Sequence, residues 1–390
     1  MERFFTSLMG SMPRSAELMR ARRLLAAGRL EQTEYDLLVR KETERVVKLQ
    51  ERLGLDVIVS GEIARDNYVS FISEKIGGVT PMSMADMMDY VEDKRAFDEI
   101  LDTLDVPAAS IRNAICTGTL EYRGDIVLEE LRLLKSLTDK PVKITLPGPY
   151  LVTRSMWLPA LSTQGYPDKE RLGEAVLEIY RREISALQDE GVDIIQFDEP
   201  VLTEVVFTEG KTRTFMCAAL SQRKDPAEEL EFAASLIKRV VGFVDESRSV
   251  SSLHVCRGNW SRDESILLTG PYTPLIDLFS QAAPRMLALE FSTPRAGELD
   301  AFLNDPRIRG RFALGLGVLN PRLDRTEPVE SMMERGRKAA RALGADNVAL
   351  NPDCGFATFS NRPVSTYDLI EQKTKRMVEA SRRLRAEFHA

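Results

Sequence analysis

Histidine is nearly missing from this chain. Only His254 and His389 occur in 390 residues, and the second is the penultimate residue, where chains fray. Chemistry that needs an imidazole must therefore use His254 or do without. Cysteine is scarce too. Cys116, Cys217, Cys256 and Cys354 are too few for a disulfide scaffold, which points to the reducing cytoplasm. A basic excess is lacking: 53 Lys and Arg stand against 60 Asp and Glu, a net charge of −7. Nucleic acid is therefore not an expected partner. No apolar run reaches the roughly eighteen residues of a membrane span, so no membrane partner is expected. The N-terminal MERFFTSLMGSMPRSAEL has an acid beside its first base and only a short apolar run before Pro13, which makes a poor signal peptide. A composition with 43% hydrophobic and 29% charged residues is that of a globular protein with a substantial core.

What the chain does have is alternation. Short β-rich runs fall at Phe4–Met9, Val57–Ser60, Lys143–Leu146, Ile194–Phe197, Val250–Val255, Met286–Glu290, Phe312–Val318 and Asn347–Leu350. Segments of helical period lie between most of them, such as Val127–Thr138, Arg171–Glu190 and Pro226–Asp245. Eight strand-then-helix units predict an α/β fold, a (β/α)8 TIM barrel, as a single domain over 1–390. A doubly wound open sheet is the competing reading, and no G-x-G-x-x-G fingerprint follows the first strand to support it. Ser15–Ala26 and Gln32–Leu53 read as two helices between strands one and two. Residues 66–140 are too many for one crossover helix and read as an insertion after strand two. It should hold a Gly77–Gly78 turn, a helical stretch near Met82–Asp102, the β-like run Asn113–Thr119 and a hairpin.

Active sites of such barrels lie at the carboxyl ends of the strands. Those ends read Gly10-Ser11, Gly61-Glu62, Pro147-Gly148-Pro149, Asp198-Glu199-Pro200, His254 with Cys256, Glu290, Asn320-Pro321 and Asp353-Cys354-Gly355. His254 and Cys256 are two residues apart and share one face of their strand. With Glu290 and Cys354 they offer an imidazole, two thiols and a carboxylate to one mouth, a set that favours zinc over magnesium or calcium. The bland alternative, a satisfied core histidine with cysteines as small fillers, is better for H-x-C alone; the shared placement at strand ends reverses the balance. Cys116 and Cys217 read as filler. Glu62 and Asp198 form a second constellation. They suit a glycosidase-type acid/base pair, anionic walls for an ammonium group, or caps and partners of Arg65 or Arg154. Asp353 reads as a supporting residue or a cap.

The stretches LMGSMPRS, VSGEIARDNYV, SLTDKPVKITLPGPY, IIQFDEP, LHVCRGN, LALEFS and LNPDCGF, running from residue 8 to 356, resemble the catalytic C-terminal barrel of cobalamin-independent methionine synthase. The resemblance implies a (β/α)8 barrel with Zn2+ on His254, Cys256, Glu290 and Cys354. It implies homocysteine as methyl acceptor, with Glu62 and Asp198 on its amino group and main chain near Gly10 and Ser11 at its carboxylate. Replacing Asp198 by Asn should then weaken homocysteine binding and leave zinc in place. Full-length family members carry an extra N-terminal barrel that this chain lacks. The family's Arg-Pro-Pro segment is replaced here by CTGTLEYRGD, and its proton-donating histidine falls near Asn320, the candidate catalytic position. Thiol activation is thus expected to be retained. The methyl donor is expected to be a methyl-corrinoid on a carrier protein, or a methyl-folate protonated by a carboxylic acid such as Glu121. A related reading is zinc-dependent alkyl transfer to another small thiol, as in epoxyalkane:coenzyme M transferase. A sulfonate thiol wants Arg or Lys at its far end, so the carboxylates favour homocysteine. A zinc-stabilised binding barrel is the non-enzymatic reading.

Overall fold

The computed structural model describes residues 2–91, 94–95, 112–207, 225–259 and 261–389. Cys217 and the end of the helical stretch expected to reach Asp102 lie outside these residues. The strands are β1 (Ile58–Val59), β2 (Ile76–Ser83), β3 (Arg112–Tyr122), β4 (Val142–Pro147), β5 (Ile194–Asp198), β6 (Val250–Val255), β7 (Met286–Leu289), β8 (Ala313–Leu319) and β9 (Val348–Pro352). Seven of them form one sheet in the order β1-β4-β5-β6-β7-β8-β9, and every pair is parallel. Helices between them cover the outer face, which is why β4 is buried at all six residues and β5 at its first four.

The first run departs from expectation. Phe4–Met9 makes no continuous ladder but touches both sheet edges through isolated parallel bridges, Thr6 to Leu350 and Ser7 to Val57. Two local features account for this. Phe4 has a left-handed φ of 50°, which breaks the extended path. The Asp56 carboxylate then accepts bonds from Thr6 N at 2.7 Å and Thr6 Oγ1 at 2.8 Å, replacing ladder bonds with side-chain ones. The segment still joins the last strand to the first: Phe4 N donates to Val348 O and Val57 N to Thr6 O. Inside the ring, Phe5, Val57, Ile194, Met286 and Ala349 pack together near the amino ends of the strands.

The hairpin expected after strand two is present: β2 and β3 pair antiparallel, with Ile76 opposite Tyr122 and Ser83 opposite Arg112. Gly77–Gly78 is not its turn. The register shifts between Gly77 and Val79, and Gly78 sits at φ 80° where a Cβ would lie 2.2 Å from Thr119 O. The glycine pair is a bulge inside a strand, a use that needs glycine for the same conformational reason as a turn. The hairpin leans on the barrel helices through Ser162, whose hydroxyl donates to Cys116 O at 3.0 Å. Helix starts follow the sequence signals: Ser15 accepts from Leu18 N and Asp225 from Ala227 N, capping Ala16–Ala26 and Pro226–Gly242. No described helix is long and apolar enough to cross a membrane.

Candidate metal and thiol site

Three of the four expected ligands meet. The ligand atoms of His254, Cys256 and Cys354 all lie within 4.8 Å of one another, and all three residues are buried. Parallel register brings this about. Asp198 at the end of β5 is paired with His254 in β6, and Cys256 follows one residue beyond that strand. His254 Nδ1 bonds Asp198 Oδ1 at 2.8 Å, and Nε2 lies 3.4 Å from the carbonyl of Asp353, the neighbour of Cys354. Burial pulls the imidazole down, but Asp198 and Cys256 outweigh it and raise it to about 10. Cys256 moves the other way: a hydrogen bond from Cys354 and the nearby imidazole overcome burial and bring it down to about 5. An imidazole oriented by a carboxylate, beside two cysteines, is a donor set that fits zinc.

Glu290 does not join them. Its carboxylate is fully buried, forms an ion pair with Arg295, lies 3.4 Å from Arg322 Nη2, and accepts the Arg257 main-chain N–H at 2.8 Å. Burial pushes its carboxyl up, and the three arginines more than compensate. A buried carboxylate needs such partners, because leaving it unpaired is costly. Asp353, beside Cys354, accepts from Phe291 N at 3.2 Å and Ser292 N at 3.0 Å and from the Ser292 hydroxyl. It ties the end of β7 to the Cys354 loop.

The cluster opens on a cavity lined by Gly10, Ser11, Glu62, Gln196, Asp198, Asn259 and Thr358 among others. Glu62 stands at a left-handed φ of 54°, a strained setting for a residue with a side chain. Arg14 holds it there. Its guanidinium donates to four carbonyls: Met12 at 3.1 Å, Ala357 at 2.7 Å, Glu62 at 2.6 Å and Arg65 at 3.0 Å. The loop after β1, the loop after β9 and the segment following Met9 are thereby pinned around one side chain. The Glu62 carboxylate accepts from Thr145 Oγ1 at 2.7 Å and lies 3.7 Å from Arg65 Nη1. Gly10 is needed for this packing, since a Cβ there would lie 2.2 Å from Glu62 Oε1. Gly10→Ala should push the carboxylate aside and weaken binding of an ammonium ligand by about tenfold, the loss of one charge-assisted bond, with metal content unchanged. Calorimetric titration of the variant checks this.

Asn320 is not brought to the cavity. Its side chain donates to Glu264 and accepts from Arg322 N at 2.9 Å, and its carbonyl accepts from Lys373 Nζ. Several contributors were not singled out from sequence: Arg14, Gln196, Asn259 and the arginines on Glu290. Gln196 had a signal. It lies two residues before Asp198 on a strand buried on both faces, so a polar residue there shares the acid's face.

Comparison with known proteins follows the same lines. The chain aligns with the 5-methyltetrahydropteroyltriglutamate–homocysteine methyltransferase of Bacillus licheniformis at 27% identity over 98% of this chain and 43% of that protein. It aligns with the Bacillus subtilis protein of the same name at 28% identity, again over 98% and 43%. It thus spans less than half the length of these relatives. A B12-independent methionine synthase from Shewanella sp. W3-18-1 shares the fold with a TM-score of 0.73 and 19% identity over 99% of both chains. The model of the cobalamin-independent synthase catalytic domain matches residues 4–383, and with His254, Cys256 and Cys354 gathered at the strand ends it places the chain in that family.

Proposed function

We propose that this chain is a zinc-dependent methyltransferase that converts homocysteine to methionine. One observation carries the reading: the His254–Cys256–Cys354 cluster opens on a cavity whose lining holds two carboxylates, Glu62 and Asp198, and no Lys or Arg among the described residues. Such a cavity suits a thiol whose far end carries an ammonium group and disfavours one that ends in a sulfonate. His254, Cys256 and Cys354 would hold the zinc. The ion supplies a positive centre that keeps a small thiol ionised at neutral pH, where only the thiolate is a strong nucleophile. The free oxygens of Glu62 and Asp198 grip the ammonium. Among the described residues, none accepts a bond from the main-chain N–H of Gly10 or Ser11, so both are open to the substrate carboxylate. With both ends of the amino acid fixed, its sulfur is aimed at the methyl carbon. The sulfur–carbon bond forms as the carbon–donor bond breaks, and the bonding pair leaves with the donor. Positioning of this kind is the chief service a protein gives an in-line displacement.

The donor is read as a methyl-corrinoid delivered by a partner protein, with a methyl-folate as the alternative. The decisive assay supplies homocysteine or coenzyme M with each donor and measures the methylated thiol. Methionine formation supports the reading. Methylated coenzyme M with no methionine would overturn it.

Glu62 also sets a pH dependence. Burial raises its carboxyl above the ordinary range; Arg65 and Thr145 pull it down, while Asp198 and Glu130 add to the rise. The buried Lys143 lies on the same interior side, its own ammonium lowered to about 7 by burial against the pull of Asp198 and Glu62. A raised carboxyl is protonated at a higher pH than a free one and then no longer attracts an ammonium. KM for homocysteine should therefore climb as pH falls from neutral into acid, and Glu62→Gln should flatten that limb at a uniformly high KM. A limb unchanged in the variant would assign it elsewhere.

A further inference from the structure

Asp198 stands between two sites. Its Oδ1 accepts two hydrogen bonds, from His254 Nδ1 at 2.8 Å and from Gln196 Nε2 at 2.8 Å. Gln196 Nε2 is itself held by Met9 O at 3.2 Å. Both neighbours of Nε2 are acceptors, so the amide orientation is fixed and Gln196 Oε1 is left buried without a partner. The second carboxylate oxygen, Oδ2, takes no hydrogen bond from a described residue, and the side chain lines the cavity with 15% of its surface exposed. One oxygen is thus saturated by the imidazole and its support, and the other is offered to whatever enters the cavity. Glu62 shares only the second property. Its carboxylate accepts from Thr145 and pairs with Arg65, and among the described residues no hydrogen bond joins it to the cysteine–histidine cluster.

The geometry points to Asp198 as a shared positioning residue: through Oδ1 it fixes the His254 ring for the metal, and through Oδ2 it receives the ammonium of the co-substrate, so that metal and amine bind with coupled free energies. This rests on the reading of the cavity as a homocysteine site. An ammonium drawn to Oδ2 competes for the charge that polarises the imidazole, so a ligand lacking sulfur perturbs the metal without touching it. Linkage makes the effect reciprocal. It also corrects the expectation that Asp198→Asn leaves zinc in place. Partners that orient a ligating histidine are typically worth about 10–100-fold in metal affinity.

The test uses the full chain and three variants. Zinc affinity is measured by competition with a chelator. The ammonium site is probed with homoserine, which has the amino acid end of homocysteine and no thiol. Asp198→Asn should weaken zinc about 10–100-fold and homoserine about tenfold or more. Glu62→Gln should weaken homoserine alone. Gln196→Leu, which frees Oδ1 of one donor and leaves both ligands of the amine in place, should change zinc affinity less than Asp198→Asn. A readout independent of any variant is the visible spectrum of the cobalt(II)-loaded chain, whose ligand-field bands should shift when homoserine binds. Zinc affinity in Asp198→Asn within about twofold of the parent, well short of an outer partner's usual effect, overturns the inference. So does equal loss of zinc in Glu62→Gln, or homoserine binding without a spectral shift. A parent chain that binds zinc and neither homoserine nor homocysteine instead marks failure of the homocysteine reading, and the shared role falls with it.

Discussion

Replacing Cys354 by Ser is expected to abolish stoichiometric zinc binding. The thiol sits just beyond β9 and is aimed by neighbours that do not themselves ligate. Asp353 anchors the loop to Phe291 and Ser292, and Asn259 Nδ2 donates to Gly355 O at 2.7 Å and Thr358 Oγ1 at 2.9 Å. Serine fits the space, and its hydroxyl is not ionised near neutral pH, so the substitution removes the donor and spares the packing. Loss of an outer partner of a metal ligand costs about 10–100-fold; loss of a ligand itself should exceed the upper end of that range. Two protein ligands, His254 and Cys256, would remain, short of the three that catalytic zinc sites keep. Metal analysis after dialysis against a weak chelator is the check. Cys116→Ser supplies the control, because that thiol is buried in the hairpin, bonded to Gly118 O at 3.3 Å and outside the cluster. Full zinc retention in Cys354→Ser would remove the metal from this cluster.

Strand positions were legible because a strand buried on both faces must be a short apolar run, and the runs at Lys143, Ile194, Val250, Met286, Phe312 and Asn347 each became one. Their order then carried chemistry to one rim, since residues that end parallel strands share an end of the sheet. Less legible was whatever depends on a long-range polar partner. Phe4–Met9 had the composition of a strand, and the Asp56 carboxylate took its bonds. Glu290 had the right position for a ligand. Nothing in LALEFS reveals that Arg295 and Arg322 converge on its carboxylate from two different loops. Gly77–Gly78 shows a further limit: positive φ is readable from glycine, but whether it serves a turn or a bulge depends on the pairing of both strands. Arg14 was hidden most deeply. Its role is to bond main-chain carbonyls, which have no sequence signature.

Methionine should form at an ordinary enzymatic rate from homocysteine and a methyl-corrinoid, and far more slowly from homocysteine and a methyl-folate. The leaving groups differ. A folate amine must be protonated as the methyl group departs, whereas a corrinoid leaves as the reduced cobalt species and needs no proton. General acid help is commonly worth about 10²–10⁴-fold, and imidazole is its most frequent source. The cavity lining contains one imidazole, His254, and it is committed to Asp198 and to the cysteine cluster. The resemblance puts a proton-donating histidine near Asn320, and the residue there is an amide bonded to Glu264 and Arg322. The two carboxylates that line the cavity, Glu62 and Asp198, are those proposed to hold the amine end of the substrate. Relatives named for the methyltetrahydropteroyltriglutamate reaction are more than twice as long as the aligned region, which covers 43% of them, so the donor cannot be carried over from their name. Single-turnover assays with each donor, monitoring methionine, separate the cases. Equal rates with both donors, or turnover with the folate alone, would require an acid from outside the cavity lining; Glu121 lies on the hairpin opposite Gly77, and Glu121→Gln would lower the folate rate about 10²-fold if that carboxyl supplies the proton.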